Sequence, residues 1–201
     1  MGKYNLTPKY SAIVIGGSAG SFQPITNMLA NIPASFPLPI FLCLHRLKHV
    51  KHGFVEALSI KSNKPISEPY DKEGVTPGHV YLAPANYHMM MNKGPVMALS
   101  SEGLVNNSRP AIDLTMEAAA DVYRERLVGI LMSGANKDGA EGMRRIKQNG
   151  GLTVAQDPDE SMINTMPSAA IAATKIDWVL TSEEIVDFLL ELASCYKNVK
   201  T

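Results

Sequence analysis

Three side chains with complementary chemistry stand shortly after apolar runs of the sequence. They are a serine, a histidine and an aspartate: Ser18, His45 and Asp138. A serine hydroxyl alone is a poor nucleophile, because it needs an imidazole to accept its proton and an acid to orient that imidazole and stabilise its charge. Since the sequence offers one of each, it predicts nucleophilic chemistry at a serine, provided that the fold brings the three residues together.

The residues around Ser18 satisfy the G-x-S-x-G pattern of a nucleophile elbow, in the run Gly16-Gly17-Ser18-Ala19-Gly20. The glycines allow a sharp turn that keeps the hydroxyl accessible, and the Ala19 amide would be a suitable donor to an oxyanion. The alternative is a tight turn with a helix-capping serine, and the pentapeptide alone does not separate the two. The order serine, histidine, aspartate differs from that of the α/β-hydrolases, which argues against an ordinary lipase or esterase.

The acid has alternatives as well. Asp138 stands before Gly139 at the start of a predicted helix, where an aspartate is often only an N-cap. Asp113 and Asp157 are two other carboxylates that could serve. The position of Asp138 after a predicted strand end favours it, without deciding the question.

A second kind of site has to be weighed for the histidines. His45, His49 and His52 would share a face if this segment were helical, which is a pattern of metal ligands. The apolar run that ends at His45 favours a strand end instead. We therefore expect no metal, with His45 at the end of a strand and two surface histidines after it.

The segments that must position these side chains alternate between short apolar runs and runs of helical periodicity. Strands are predicted over residues 11–15, 40–44, 126–132 and 152–155, and helices over 22–31, 54–61, 113–125, 139–149, 167–174 and 183–196. Three further strand candidates, within residues 80–99, predict a small β-hairpin region. The alternation predicts an α/β fold, a three-layer sandwich with a mainly parallel, doubly wound sheet, whose carboxyl edge would gather the three side chains.

Composition excludes several classes of protein. Nineteen basic residues cancel nineteen acidic ones, so no overall basic field exists to hold nucleic acid, although a local patch at Arg46, Lys48 and Lys51 stays open. Cys43 and Cys195 are too few for a disulfide scaffold, which fits a reducing compartment. No stretch has the length of a membrane span or the core of a signal peptide. We expect a cytoplasmic protein with no direct membrane insertion.

Six segments in chain order resemble the catalytic domain of the bacterial chemotaxis methylesterase, CheB type. They are IGGSAGS, LCLHRL, PGHVYLAPANYHM, NSRPAIDLTMEAAA, LMSGANKDGAEGM and AQDPDESMINTMPSAAI. The resemblance covers nearly all of residues 1–201 as one catalytic domain, with a core of about 9–195. It implies hydrolysis of γ-glutamyl methyl esters on chemoreceptor helices, deamidation of receptor glutamines as a second reaction, and no cofactor. It puts the catalytic triad on Ser18, His45 and Asp138.

The resemblance also suggests residues around the cleft. Gly17 and Ala19 would belong to the oxyanion site. His88 matches a histidine of the family pattern and would line the cleft, with a structural hydrogen bond as the alternative. Arg109 would meet an acidic receptor surface, with bonding to loop carbonyls as the alternative.

The chain departs from the family in three ways. The usual enzyme carries an N-terminal receiver domain, so we expect a free-standing catalytic module, a fragment, or a protein controlled by a separate response-regulator partner. The elbow commonly has threonine where Ala19 stands. The aspartate loop usually reads TGMGxDGA, and Ala135 and Asn136 replace its methionine and a glycine.

Two other functions remain open at this point. One is a related esterase or amidase with a different substrate. The other is a non-catalytic binding module that keeps the scaffold. Reactivity of Ser18 separates the second from any hydrolase, and the choice of ester separates the first from a receptor methylesterase.

Overall fold

The computed structural model describes residues 2–46 and 53–196. The strands are β1 (Ala12–Gly17), β2 (Ile40–Leu44), β3 (Ile66–Ser67), β4 (Val80–Leu82), β5 (His88–Asn92), β6 (Val96–Ser100), β7 (Leu127–Leu131), β8 (Leu152–Gln156) and β9 (Trp178–Leu180). The α-helices are α1 (Phe22–Asn31), α2 (Phe54–Ser59), α3 (Ile112–Tyr123), α4 (Ala140–Gln148), α5 (Thr165–Ala173) and α6 (Ser182–Tyr196). Every helix predicted from the sequence is present, with ends that differ by at most two residues.

Seven strands form one sheet in the order β3-β4-β2-β1-β7-β8-β9, and every neighbouring pair is parallel. The chain builds outward from β1 through β2 and then continues on the other side of β1 with β7. The order of strands therefore reverses at β1, and in such sheets the crevice forms there, at the carboxyl ends. The predicted α/β sandwich is confirmed.

Each face of the sheet is covered by helices. In β1, Ile13 and Ile15 pack into a core with α1, α2 and α6, whereas Ala12 and Val14 pack into a second core with α3, α4 and α5. All four side chains are fully buried. This is why the strand is apolar throughout rather than alternating. Cys43 is buried in the second core, and burial raises the pKa of its thiol.

The region after α2 differs from the prediction in one respect. Residues 80–82 do not belong to the hairpin region: they form β4, which pairs in parallel with β2 inside the main sheet. The reason is that Val80 and Leu82 pack into one core while Tyr81 packs into the other, so this strand is buried on both faces. The separate hairpin consists of β5 and β6, whose methionines pack against α3.

The strands β3 and β9 were not predicted. They lie at the two edges of the sheet and have only two and three residues, which is too short for a periodic signal.

Across the described part of the chain, no helix combines the length and the apolar character that crossing a membrane requires.

Candidate active site

Ser18 and His45 follow adjacent parallel strands. Gly17 and Leu44 are paired at the ends of β1 and β2, and the His45 amide donates to the Gly17 carbonyl at 3.2 Å. On the other side, the Ser18 amide donates to the carbonyl of Ser133, beyond the end of β7, at 2.9 Å. The elbow is therefore tied to the strands on both sides of it. Ser18 and His45 both line an open cleft of about 450 Å³.

The imidazole of His45 is bonded to the third predicted residue. His45 Nε2 lies 2.7 Å from Asp138 Oδ2, although 93 residues separate them in the chain. An ionised carboxylate only accepts hydrogen bonds, so Nε2 carries the proton and Nδ1 is left as the basic nitrogen. Among the described residues, no hydrogen bond occupies Nδ1 or joins the Ser18 hydroxyl to the imidazole.

The Asp138 carboxylate is fully buried and is satisfied by four donors. Oδ2 accepts from His45 and from the Ile112 amide at 2.7 Å, and Oδ1 accepts from the Asp113 amide at 3.0 Å and from Asn106 Nδ2 at 2.8 Å. Burial by itself would raise the pKa of Asp138, but the hydrogen bonds from His45, Asn106 and the two amides outweigh it and hold the pKa below its ordinary value. The group is therefore held as an anion beside the imidazole.

Asp113 mirrors this arrangement on the neighbouring helix. Asp113 was an alternative acid from the sequence, but it does not bond His45. It lies inside the first turn of α3, and its Oδ1 accepts from the amides of Gly139 and Gly142 at 2.8 Å each, at the start of α4. Asp138, which precedes α4, bonds the first amides of α3. The two helix N-termini thus cap each other through exchanged carboxylates. The alternative that Asp138 caps the helix after it, α4, is therefore wrong. Asp138 caps α3 instead.

One amide group joins the two carboxylates. Asn106 Nδ2 donates to Asp113 Oδ2 at 2.7 Å as well as to Asp138. Burial, and then the charge of Asp138, raise the pKa of Asp113. A proton that entered this cluster would therefore settle on Asp113 and leave Asp138 ionised beside His45. Nothing in the sequence pattern indicated Asn106, since its role depends on a loop that reaches two helices.

The peptide groups of the elbow are oriented by their carbonyls. The Ser18 carbonyl accepts from the Ser21 amide at 3.1 Å and from Ser21 Oγ at 2.7 Å, and the Ala19 carbonyl accepts from Ser133 Oγ at 2.8 Å. In a trans peptide the N–H points away from the C=O, so the amides of Ala19 and Gly20 face the opposite way. Neither amide has an acceptor within residues 2–46 and 53–196. Gly20 has φ +86°, and Ala19 and Gly20 both line the cleft.

Gly17 and His88 have roles away from the cleft lining. A Cβ on Gly17 would lie 2.5 Å from Ser21 Oγ, so this glycine provides the space in which Ser21 bonds the elbow. His88 is buried: its Nε2 donates to the Gly103 carbonyl at 2.9 Å and its Nδ1 accepts the Ala111 amide at 3.2 Å. Both nitrogens are used, which matches the structural alternative for His88.

Arg109 is also engaged by its own surroundings. Its guanidinium donates to Asn86 Oδ1 at 2.7 and 3.1 Å and to the carbonyls of Ser101 and Glu102. Bonding to loop carbonyls was the alternative to a receptor contact. The side chain fixes the segment after β6 against the loop before β5, and it does not line the cleft.

Within residues 2–46 and 53–196, no three histidine, cysteine, aspartate or glutamate side chains are grouped as metal ligands. His45 directly follows a strand, as expected. His49 and His52 lie outside the described residues. The apolar run before His45 thus predicted its position correctly.

The structure describes only one of the three residues of the possible basic patch, Arg46. Lys48 and Lys51 lie outside the described residues. The side chain of Arg46 is 1% exposed: its guanidinium pairs with Glu68 and donates to the Ala83 carbonyl at 2.8 Å. Arg46 therefore joins the ends of three strands instead of contributing a surface charge.

One of the departures from the family has a definite structural role. Asn136 Oδ1 accepts the Asp138 amide at 3.1 Å and so closes the turn that presents the carboxylate. Ala135, on the same turn, is exposed. The polar substitution supports the loop, and nothing in the structure explains the small one.

Comparison with known proteins agrees with this geometry. A family model described as CheB methylesterase matches residues 13–189. A Leptospira interrogans relative is 40% identical over 183 residues, which cover 91% of this chain and 95% of that protein; its name assigns it provisionally to the protein-glutamate methylesterase/protein-glutamine glutaminases. A Thermotoga maritima protein with that name is 32% identical over 187 residues, which cover 90% of this chain and 53% of that protein.

A solved structure matches as well. The crystal structure of the Thermotoga maritima CheB methylesterase catalytic domain superposes with a TM-score of 0.86 at 30% identity, covering 91% of this chain and 98% of that one. The family match spans the elbow, the His45 strand end and the Asp138 loop. The chain belongs to the CheB methylesterase family.

Proposed function

We propose that this protein hydrolyses methyl esters of glutamate side chains on chemoreceptors, and deamidates receptor glutamines, through a triad of Ser18, His45 and Asp138. The observation that carries the proposal is the 2.7 Å hydrogen bond between the His45 imidazole and a buried carboxylate, one strand away from an accessible serine. The names of the relatives agree with the reaction, since they combine the methylesterase and glutaminase activities.

The proposed reaction has two halves. His45 Nδ1 takes the proton of the Ser18 hydroxyl while Oγ attacks the ester carbonyl, and the carbonyl electrons move onto oxygen. The amides of Ala19 and Gly20 stabilise this oxyanion as it forms. Collapse of the intermediate expels methoxide, which takes the proton from His45 and leaves as methanol. Water, deprotonated by His45, then attacks the acyl-enzyme. As the bond to Ser18 Oγ breaks, His45 returns that proton to the serine oxygen, and the glutamic acid product loses its own proton to water.

Asp138 acts on the imidazole throughout. Its charge stabilises the imidazolium that exists between the two proton transfers, and its hydrogen bond keeps the proton on Nε2. For deamidation the leaving group is ammonia instead of methanol, and the other steps are the same.

The substrate implies the surroundings of the protein. Chemoreceptor methylation sites lie on cytoplasmic helices, so we propose a cytoplasmic location. We also propose a separate response-regulator protein as its controlling partner. Binding of purified regulator, measured with and without phosphorylation, tests this second point.

Release of methanol from methylated receptor tests the reaction. Wild-type protein is expected to release it and the S18A variant to lose at least about 10³-fold in rate, because no other group forms the acyl-enzyme. S168A, at an exposed serine on α5, is the matched control and is expected to keep the wild-type rate. Equal rates for S18A and wild type would rule the triad out.

Two further outcomes identify the alternatives. Hydrolysis of small esters without release of methanol from receptor would favour a related esterase or amidase. Folded protein whose Ser18 does not react with a fluorophosphonate would favour a non-catalytic module.

A further inference from the structure

We propose that Ser133 is a positioning residue of this reaction: its hydroxyl holds the peptide between Ala19 and Gly20 so that the Gly20 amide faces the oxyanion. The inference rests on the proposed function, because it concerns the same serine chemistry. It adds a residue, distant from Ser18 in sequence, that acts through the backbone of the elbow.

Ser133 contacts the elbow at two points. Its carbonyl accepts the Ser18 amide at 2.9 Å, which removes that amide from the set of possible oxyanion donors. Its hydroxyl donates to the Ala19 carbonyl at 2.8 Å. Ser133 therefore fixes one peptide group on each side of the nucleophile, the first through its backbone carbonyl and the second through its hydroxyl.

The position of Ser133 is itself fixed. The residue is fully buried, its amide donates to Gln156 Oε1 at 2.8 Å, and its Oγ accepts the Ile163 amide at 3.0 Å. The Ile163 carbonyl also lies 3.0 Å from Oγ, but a hydroxyl has one proton, and the shorter contact is to Ala19. Hydrogen bonds from Gln156 of β8 and from Ile163 of the loop after β8 thus hold the Ser133 hydroxyl next to the elbow.

The elbow needs this anchor because of Gly20. A glycine restrains the adjoining peptide less than any other residue, and here it adopts φ +86°. A Cβ on Gly20 would lie 2.7 Å from Ser133 Oγ, so the hydroxyl sits directly against this glycine. Without the hydroxyl, the peptide between Ala19 and Gly20 can rotate and turn its N–H away from the cleft. The oxyanion would then lose one of two donors.

Two pairs of variants isolate the hydroxyl. The first pair is wild type and Ser133→Ala, which lacks the hydroxyl. The second pair is Ser133→Thr and Ser133→Val, whose side chains have the same shape as each other, but only the threonine has a hydroxyl. The first measurement is the second-order rate of Ser18 labelling by a fluorophosphonate, whose transition state also carries an oxyanion. We expect S133A to react about 10- to 100-fold more slowly than wild type, and S133V to react more slowly than S133T by the same factor. This decrease is somewhat smaller than the one caused by removing a whole oxyanion donor.

Steady-state hydrolysis of a small p-nitrophenyl ester gives the second readout. The same variants are expected to lower kcat by a similar factor and to leave KM within about threefold, since the contact matters only when charge develops. The hydrogen bonds of Ser133 do not include His45 or Asp138, so the midpoint of the pH–rate profile is expected to stay at its wild-type value. A general disturbance of the site would move that midpoint.

Ser161 provides the control. Its hydroxyl donates to the Asp157 carbonyl at 2.8 Å within the loop after β8, so S161A perturbs that loop without touching the elbow. It is expected to react at the wild-type rate. Circular dichroism checks that every variant is folded, and if S133A is not, the threonine–valine pair decides.

Equal labelling rates for S133T and S133V, or a slow S133A with a shifted pH midpoint, would overturn the inference. Wild-type protein that does not label at all would overturn the proposed function, and this inference with it. A wild type that labels rapidly, together with an S133A that labels equally rapidly, would overturn only the role of Ser133.

Discussion

At the scale of single residues, the carboxylate of Asp138 is the most constrained group of the site. Each of its oxygens accepts two hydrogen bonds, and one of these comes from His45. A buried carboxylate with this many donors stays ionised and cannot turn away from the imidazole. Asp157, an alternative acid from the sequence, accepts instead from the Asp159 amide within its own turn.

Replacing the acid by its amide tests this assignment. D138N keeps the shape but removes the charge and favours the wrong tautomer of His45, so we expect kcat to fall about 10³- to 10⁴-fold. Fluorophosphonate labelling of Ser18 and ester hydrolysis both measure the loss. D157N is the control and is expected to keep the wild-type rate. A D138N protein as active as D157N would contradict the assignment.

At the scale of elements, α3 and α4 depend on each other for their first turns. The two helix N-termini come together in the second core, and each uses a carboxylate from the other segment as its cap. Capping groups and negative charge at an N-terminus stabilise a helix. The hydrogen bonds that hold the Asp138 carboxylate beside His45 thus also cap α3. The position of Asp138 therefore depends on the packing of the two helices.

This coupling predicts the effect of changing Asp113. D113A leaves the amides of Gly139 and Gly142 without their acceptor, and we expect the free energy of unfolding to fall by about 2–3 kcal/mol. D113N keeps one oxygen as an acceptor and should lose less. Urea denaturation at pH 7 measures both. D121A, on the same helix, removes an exposed partner of Arg145 and is expected to cost under about 1 kcal/mol. A D113A loss no larger than that of D121A would refute the exchanged caps.

At the scale of the whole molecule, the sheet stabilises the site by being covered on both faces. Two separate apolar cores pack on the two faces of β1 and its neighbours, so the strands that lead to the elbow, to His45 and to the Asp138 loop are buried on both sides. Polar contacts hold the edge of the sheet at β9. Asp177, just before β9, pairs with Lys147 of α4 and accepts from the Thr153 amide and hydroxyl of β8 at 3.0 and 2.9 Å.

The pairing of Asp177 predicts a pH dependence of stability. Burial opposes ionisation, but the bonds from Lys147 and Thr153 outweigh it and lower the pKa of Asp177 in the folded protein. A depressed pKa contributes stability that is present above the unfolded value, about 3.9, and is lost as the pH falls toward the folded value. We therefore expect D177N to cost about 1–2 kcal/mol at pH 7 and clearly less at pH 3.

Urea denaturation of wild type and D177N at pH 7, 5 and 3 measures this difference. D187N, at an exposed aspartate of α6, is expected to change the free energy of unfolding by less than about 0.5 kcal/mol at pH 7. A D177N deficit that stays constant down to pH 3 would contradict the prediction.

Much of the fold follows from local pattern. Residues 12–15, 40–44 and 127–131 were recognisable as strands because burial on both faces requires a continuous apolar run. The helices were recognisable by their helical period. The edge strands β3 and β9 were not, since two or three residues carry no period. The place of residues 80–82 was missed because a strand's partner depends on packing and not on its own composition.

The sequence by itself determined the residue types of a serine hydrolase, the elbow at Ser18 and the alternation that makes an α/β sandwich, because each of these depends on residues close together in the chain. The tertiary structure was needed to show that the Asp138 carboxylate bonds His45 through Nε2, and that Asn106, Asp113 and Ser133 lie around these residues. Those facts depend on distances between segments that are brought together only when the helices pack on the sheet.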